Sequence, residues 1–288
     1  MEIQIVPADS SSFPAQLAAI HQPPQQLYCR GQIELLQHPL LLAIVGSRKA
    51  NSYGKQSLQH LLPPAIQRGV VTVSGLAFGI DALAHRHSLN AGKPTIAVLG
   101  SGVDDDSVYP RNHLKLAHDI LQHGGLIISE HPPGTIARPY FFPIRNRIIA
   151  GLASATVIVQ ATIKSGSLVT ARLALDEGRD VAVVPGPITD PLSFGPNMLL
   201  RQGAIPLTSP EDVYELLNLQ ANQTIPLPKM ELTPIQQQVL TALAAEPKHI
   251  DTISEAAHLN PQATSIALVE LELLDLAQHL GNSKYART

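Results

Sequence analysis

"VVTVSGLAFGIDALAHRH", residues 70–87, decides the architecture. An apolar run, Val70 to Val73, stops at Ser74-Gly75; Gly79 follows, and helix formers begin at Ile80. A buried strand turning through glycines into a helix is the unit of an open α/β sheet. Gly75 and Gly79 permit a close backbone approach or a positive φ. The helix that follows points its free N–H groups and partial positive charge at the strand's carboxyl end. This turn is expected to cradle an anion on Ser74, Gly75, Ala77 and Gly79, and the absence of G-K-[ST] separates it from a P-loop.

The same unit repeats on both sides. "LLLAIVG" (40–46), "PTIAVLG" (94–100), "GLIIS" (125–129), "ATVIVQ" (155–160) and "DVAVVPG" (180–186) are continuous in Val, Ile and Leu, as in strands covered on both faces. Between them lie segments of helical spacing, several ending at glycine. This alternation predicts an α/β, doubly wound, mostly parallel sheet over residues 40–217. Residues 1–39 read as a lead-in: a short helix, a Pro-Pro break and an extended stretch. Residues 218–230, "NLQANQTIPLPKM", are polar and proline-rich and read as a linker. Residues 231–288 carry three helical patterns and a small hairpin with "GNS" at its turn, a winged helix.

Composition bounds the partners. The 288 residues are 44% hydrophobic and 15% charged, as in a globular protein. The formal charge is −3, so any nucleic-acid site must be a local patch. One cysteine, Cys29, excludes an internal disulfide and suits a reducing cytoplasm. "MEIQIVPADSSSF" does not read as a signal peptide, and no run approaches the roughly eighteen apolar residues of a spanning helix. The expected setting is therefore cytoplasmic, with no membrane partner.

Several segments converge on the carboxyl edge of the sheet. After the first strand, "VGSRKANSYGKQ" places Ser47 and Arg48 there, and an arginine fork matches phosphate oxygens. Asp81 and His85, at i and i+4, are spaced to pair, more often as structure than as a general base. The three aspartates of "GSGVDDDSVYPRNH" (100–113) suggest a metal, but consecutive carboxylates diverge and no EF-hand spacing follows. A solvated loop or helix cap accounts for them better. Tyr109, Arg111 and Asn112 are the stronger edge candidates. The densest segment is "ARPYFFPIRNRIIAGL" (137–152): Tyr140, Phe141 and Phe142 amid Arg138, Arg145, Asn146 and Arg147. Aromatics stack bases and arginines take phosphates, the mixture a single-strand binder needs. Against that, the aromatics could be core (Phe141 or Phe142 above all) and the arginines helix caps. Lys164, Ser165, Gly166 and Ser167 form a second candidate anion nest. Gly195, Pro196 and Asn197 are expected to return the chain to this edge. The histidines form no zinc pattern, no G-x-S-x-G is present, and no metal, cofactor or catalytic residue is expected.

Together "AIVGSR", "SGLAFGIDALAH", "TIAVLGSGVDDDSVYPRNHLKL", "ISEHPPGT", "FPIRNRIIAGLA", "SGSLVTARLALDEGRDVAVVPGP" and "GPNMLLRQGA" resemble, in order, the signature of the DNA-processing protein A (DprA/Smf) family. The C-terminal sixty or so residues resemble the winged helix that many members carry. The resemblance implies a Rossmann-like domain that binds single-stranded DNA, a homodimer, and loading of the RecA recombinase on DNA incoming during natural transformation, without catalysis. It places Arg48 on the family's phosphate-binding arginine, Gly75 to Gly79 on its anion loop, and Phe142, Arg145 and Arg147 on its F-P-x-R-N-R segment. Members often carry a lysine just before that segment; Arg138 is the nearest basic residue here. Three departures stand out. The N-terminal helical domain of many members is reduced to the lead-in. A strand end often reading V-E-A is Val159-Gln160-Ala161, which is expected to make the edge less acidic. The winged-helix segment from Lys229 carries four Lys/Arg against seven Asp/Glu, which suits protein contacts or dimer assembly better than DNA. The alternative is a nucleotide enzyme or sensor of the lysine-decarboxylase-like ("Lonely Guy") type. Its P-G-G-x-G-T-x-x-E motif supplies a catalytic glutamate, and the corresponding stretch here, Ser165 to Ala171, has none.

Overall fold

A computed structural model describes residues 2–219, 233–244, 247–273, 277–279, 281 and 283–287. In chain order the first part runs β1 (Ile3–Pro7), α1 (Ala15–Ala18), β2 (Gln26–Gly31), β3 (Leu41–Val45), α2 (Ser52–Gln67), β4 (Val71–Ser74), α3 (Ile80–Asn90), β5 (Thr95–Val98), α4 (Leu114–Gln122), β6 (Leu126–Ser129), α5 (Phe141–Leu152), β7 (Ala155–Ile158), α6 (Gly166–Asp176), β8 (Asp180–Val183), α7 (Phe194–Arg201), β9 (Ile205–Pro206) and α8 (Pro210–Leu216). The nine strands form one sheet in the order β1-β2-β6-β5-β4-β3-β7-β8-β9. Strands β3 to β9 pair in parallel, while β1 with β2 and β2 with β6 are antiparallel. The six apolar runs are thus β3 to β8.

Strand β3 shows why its sequence is unbroken by polar residues. Leu41, Ala43 and Val45 enter a core with Ile148, Ile149 and Leu152 of α5. Leu42 and Ile44 point the other way, into a core with Leu58, Leu62 and Ile66 of α2. A third cluster joins Ala97 and Ile127 to Leu116 and Ile120 of α4. Period-2 side chains buried on both faces leave no place for a solvent-facing residue.

The lead-in is more than an extended stretch. Strand β1 was not expected; it pairs with β2 from Ile3 opposite Arg30 to Pro7 opposite Gln26, and β2 docks on β6. Leu17 and Ile20 press on α5, where a Cβ at Gly151 would lie 2.6 Å from Ile20. Residues 1–39 therefore extend the sheet. The chain divides into two compact units, Met1–Ile225 and Pro226–Thr288, the first including the lead-in. Of the expected linker, 218–230, all but Asn218 and Leu219 lies outside the described residues.

The second unit contains α9 (Pro234–Ala242), β10 (Lys248–His249), α10 (Ile250–Ala257), α11 (Pro261–Leu273), β11 (Ala277–His279) and β12 (Lys284–Arg287). Thr233 and Gln236 close a capping box on α9. Val239, Ile253, Leu268 and Leu271 form its core. Three helices and the β11–β12 hairpin are the winged helix read from the sequence. The short strand β10, which completes the order β10-β12-β11, is an addition. Among the described residues no helix is long and apolar enough to cross a membrane.

Candidate nucleic-acid interface

The chain steps from β3 to β4 on one side of the sheet and from β7 to β8 on the other, so β3 and β7 are adjacent strands with diverging crossovers. Open α/β sheets bind ligands at such a switch point, outside the carboxyl ends of the strands. An open cleft of about 460 Å³ lies there, lined by the loops after β3, β4, β5 and β7 and by the first turns of α5 and α6.

The loop after β4 holds a carboxyl group of the protein itself. The N–H groups of Gly75 and Ala77 donate to Asp81 Oδ2 at 3.1 and 3.4 Å. A carboxylate in the first turn of α3 thus takes two of the donors on which an external phosphate was expected to rest. Asp81 is buried, and desolvation raises its pKa, opposed by the Arg145 charge and the two N–H groups. Ser74 is also internal, its hydroxyl donating to Ile44 O at 2.6 Å. Gly79 has φ +76°, and a Cβ there would lie 2.2 Å from Ser47 O. That close approach lets Ile80 N–H donate to Ser47 O at 3.1 Å, which fixes the loop carrying Arg48.

Arg145 is not a free phosphate ligand either. It is 5% exposed, and its guanidinium donates to the carbonyls of Gly75, at 2.9 Å, and Val98. Nε donates to Asn146 Oδ1 at 3.2 Å. A Cβ at Gly75 would sit 2.5–2.7 Å from three guanidinium atoms, so glycine is required for the group to lie there. Burial lowers its pKa to about 10; Asp81 acts against that shift and Arg48 with it. Arg145 stays cationic and ties the ends of β4 and β5 together beneath the cleft. Arg147 is likewise committed, in a bidentate pair with Glu130 at 3.1 and 2.7 Å. Asp81 and His85 do not pair: His85 Nδ1 meets Thr95 Oγ1 at 2.8 Å, and burial, then the His113 and Arg145 charges, push its pKa down to about 3.

Arg48 is the exposed cation of the cleft, its guanidinium 5.6 Å from the centre of the Phe142 ring. Phe142 is 5.5 Å from Tyr109, and Phe141 is 4.1 Å from His131 and 4.6 Å from Tyr140. Neither phenylalanine is core; both are half-buried, while Tyr109 and Tyr140 are 50% and 54% exposed. The first turn of α5 precedes its buried stripe, which begins at Arg145 and Ile148. Asn146 lines the cleft. Ser165 caps α6, its hydroxyl accepting from Ser167 N–H at 3.4 Å, and Ser165, Gly166 and Ser167 all line the cleft. Arg138 and Lys164 are exposed outside it, with Arg138 donating to Tyr140 Oη at 3.0 Å.

The remaining candidates serve the frame. Asp104 accepts from Gly134 N–H and Ser107 Oγ, Asp105 pairs with Arg30 and His118, and Asp106 pairs with Arg111. Gly195 and Asn197 return to the ends of β7 and β8, bonding Ala161 O and Gly186 O, but do not line the cleft. Gln160 is buried at the strand end: it donates to Asn51 Oδ1 at 2.6 Å and accepts from Asn51 N–H at 3.2 Å, holding the cap of α2.

Residues 4–218 match the model of DNA recombination-mediator protein A, and residues 223–282 that of the DprA winged helix domain. The chain belongs to the DNA recombination-mediator protein A family. Protein Smf of Escherichia coli is 39% identical over 277 residues, spanning 93% of this chain and 73% of its own. The X-ray structure of DNA processing protein A from Streptococcus pneumoniae superposes with a TM-score of 0.69 at 38% identity, covering 75% of this chain and 74% of that one. DNA processing protein A from Helicobacter pylori, described for its single-stranded DNA binding mode, superposes with a TM-score of 0.66 at 32% identity, covering 75% of this chain and 97% of that one. As a member of the recombination-mediator protein A family, this chain presents Arg48, Phe142, Tyr109 and the start of α6 on one cleft, with the Phe141–Tyr140 pair outside its lining. The sequence reading missed Phe78, 42% exposed on the loop after β4; the available signal was a large aromatic between Ala77 and Gly79, where a tight turn leaves no room to bury it.

Proposed function

We propose that the cleft binds single-stranded DNA and that the protein is a recombination mediator without catalytic activity. Arg48 takes a backbone phosphate, the rings of Tyr109, Phe142, Phe141 and Tyr140 stack unpaired bases, and the first turn of α6 with Ser165 and Ser167 takes a second phosphate. The observation that carries this is Arg48 held over the part-exposed Phe142 ring, which itself meets Tyr109. Duplex bases are already stacked on each other, so an aromatic array selects an unpaired strand. The Helicobacter pylori relative, described for single-stranded DNA binding, supports the reading. The wider role is a cytoplasmic homodimer that protects incoming single strands and loads RecA during natural transformation. The test is fluorescence anisotropy of labelled oligothymidylate at low and moderate salt, with duplex as competitor. Tight, salt-sensitive binding that duplex does not displace is expected; absence of binding at low salt overturns the reading.

A further inference from the structure

Beside the cleft runs a second groove, of about 410 Å³. Arg48 lies in both. The groove adds Lys49 from the same loop, Lys55 from α2, Arg86 from α3 and Phe78 from the loop after β4. No carboxylate lines it, and none of these four cations forms an ion pair among the described residues. Arg30, Arg111, Arg147 and Arg172 are each paired with a carboxylate. On a chain of net charge −3, four unpaired cations around one groove form a local anion trap. Phe78 makes the trap more specific. Its ring is 4.7 Å from His113, edge-on, and His113 is itself buried and held by Leu76 O at 2.7 Å. The phenylalanine is thus braced on one side and open on the other, the arrangement a stacking platform needs.

We propose that this groove is a second nucleotide subsite, which takes the stretch of single strand that leaves the cleft past Arg48. Lys49, Lys55 and Arg86 meet successive phosphates, and Phe78 stacks one base. Phe78 favours an unpaired strand over a duplex backbone or an acidic protein segment, since neither of those offers a free base. The inference rests on the single-strand reading of the cleft.

The test compares oligothymidylates of about 6 and about 20 nucleotides, the shorter sized for the cleft alone. In Lys49→Ala/Lys55→Ala/Arg86→Ala, affinity for the longer strand is expected to fall at least tenfold. The slope of log affinity against log salt should fall by about 2, at roughly 0.7 per lost phosphate contact on a single strand. Phe78→Ala should weaken the longer strand about tenfold without changing that slope. The shorter strand should change less than about twofold in both variants. An unchanged longer strand, an equal loss on both lengths, or the same loss on a duplex of equal length overturns the subsite. Failure of the cleft reading is separate: the unmodified protein would bind neither oligonucleotide. All four substituted residues are exposed, and melting curves check that the variants remain folded.

Discussion

Two arginines read alike in sequence and differ in structure. Arg48 is exposed and stacked on Phe142, so Arg48→Ala is expected to weaken single-strand binding by roughly 10- to 100-fold, as anisotropy would read, with the melting temperature unchanged. Arg145 is buried, and its removal leaves the Gly75 and Val98 carbonyls short of a donor and Asp81 short of a nearby cation. Arg145→Ala is therefore expected to lose about 2–4 kcal/mol in denaturant unfolding; unchanged stability with weakened binding would return it to the interface. His85 supplies a pH dependence. Its folded pKa, about 3, lies below the ordinary 6.5, so the unfolded chain binds the extra proton. Its contribution to stability is complete above about 6.5 and is lost as pH falls toward 3, with a slope of up to about 1.4 kcal/mol per pH unit. Asp81, whose pKa is raised, acts in the opposite sense. His85→Gln should flatten the stability profile in this window, and a profile of unchanged slope would refute the assignment. Residue type and spacing carry no record of burial, which is why for Arg145 a helix cap and a phosphate contact both stood open in the sequence.

At the scale of elements, the loop after β4 turns on Gly75 and on an N-terminal carboxylate in α3. Gly75→Ala is expected to expel the guanidinium of Arg145 and lower the melting temperature, since the new methyl would overlap it. Helix α2 depends on its cap: Asn51 accepts from Gly54 N–H and exchanges two hydrogen bonds with Gln160. Gln160→Glu keeps the shape but sets a carboxylate against Asn51 Oδ1 in place of a donor. It should destabilise the fold by about 1 kcal/mol or more in thermal unfolding. Strands β3 to β8 were legible because burial on both faces writes an apolar run. Strand β1 was not, because an edge strand with one covered face is mixed in sequence, with only Val6 fully buried.

For the molecule as a whole, the winged helix reads as a protein-contact module, because phosphates are repelled by its acidic balance of seven Asp/Glu to four Lys/Arg. Removing it at the boundary between the two compact units should change single-strand affinity less than tenfold, as titration of the truncated chain would show. The alternation of strand and helix, the winged helix and the family were legible in the chain, because periodicity and ordered motifs are properties of the sequence alone. The sequence also pointed to the carboxyl edge, since Gly46, Gly75 and Gly79 follow strand ends there. Which charges are free was settled by the folded contacts. The loop at Gly75 spends its donors on Asp81, Arg145 its protons on two carbonyls and Arg147 its fork on Glu130, while Arg48 forms no ion pair among the described residues. Those partners lie up to seventy residues apart in the chain, and desolvation acts only once the fold has brought them together.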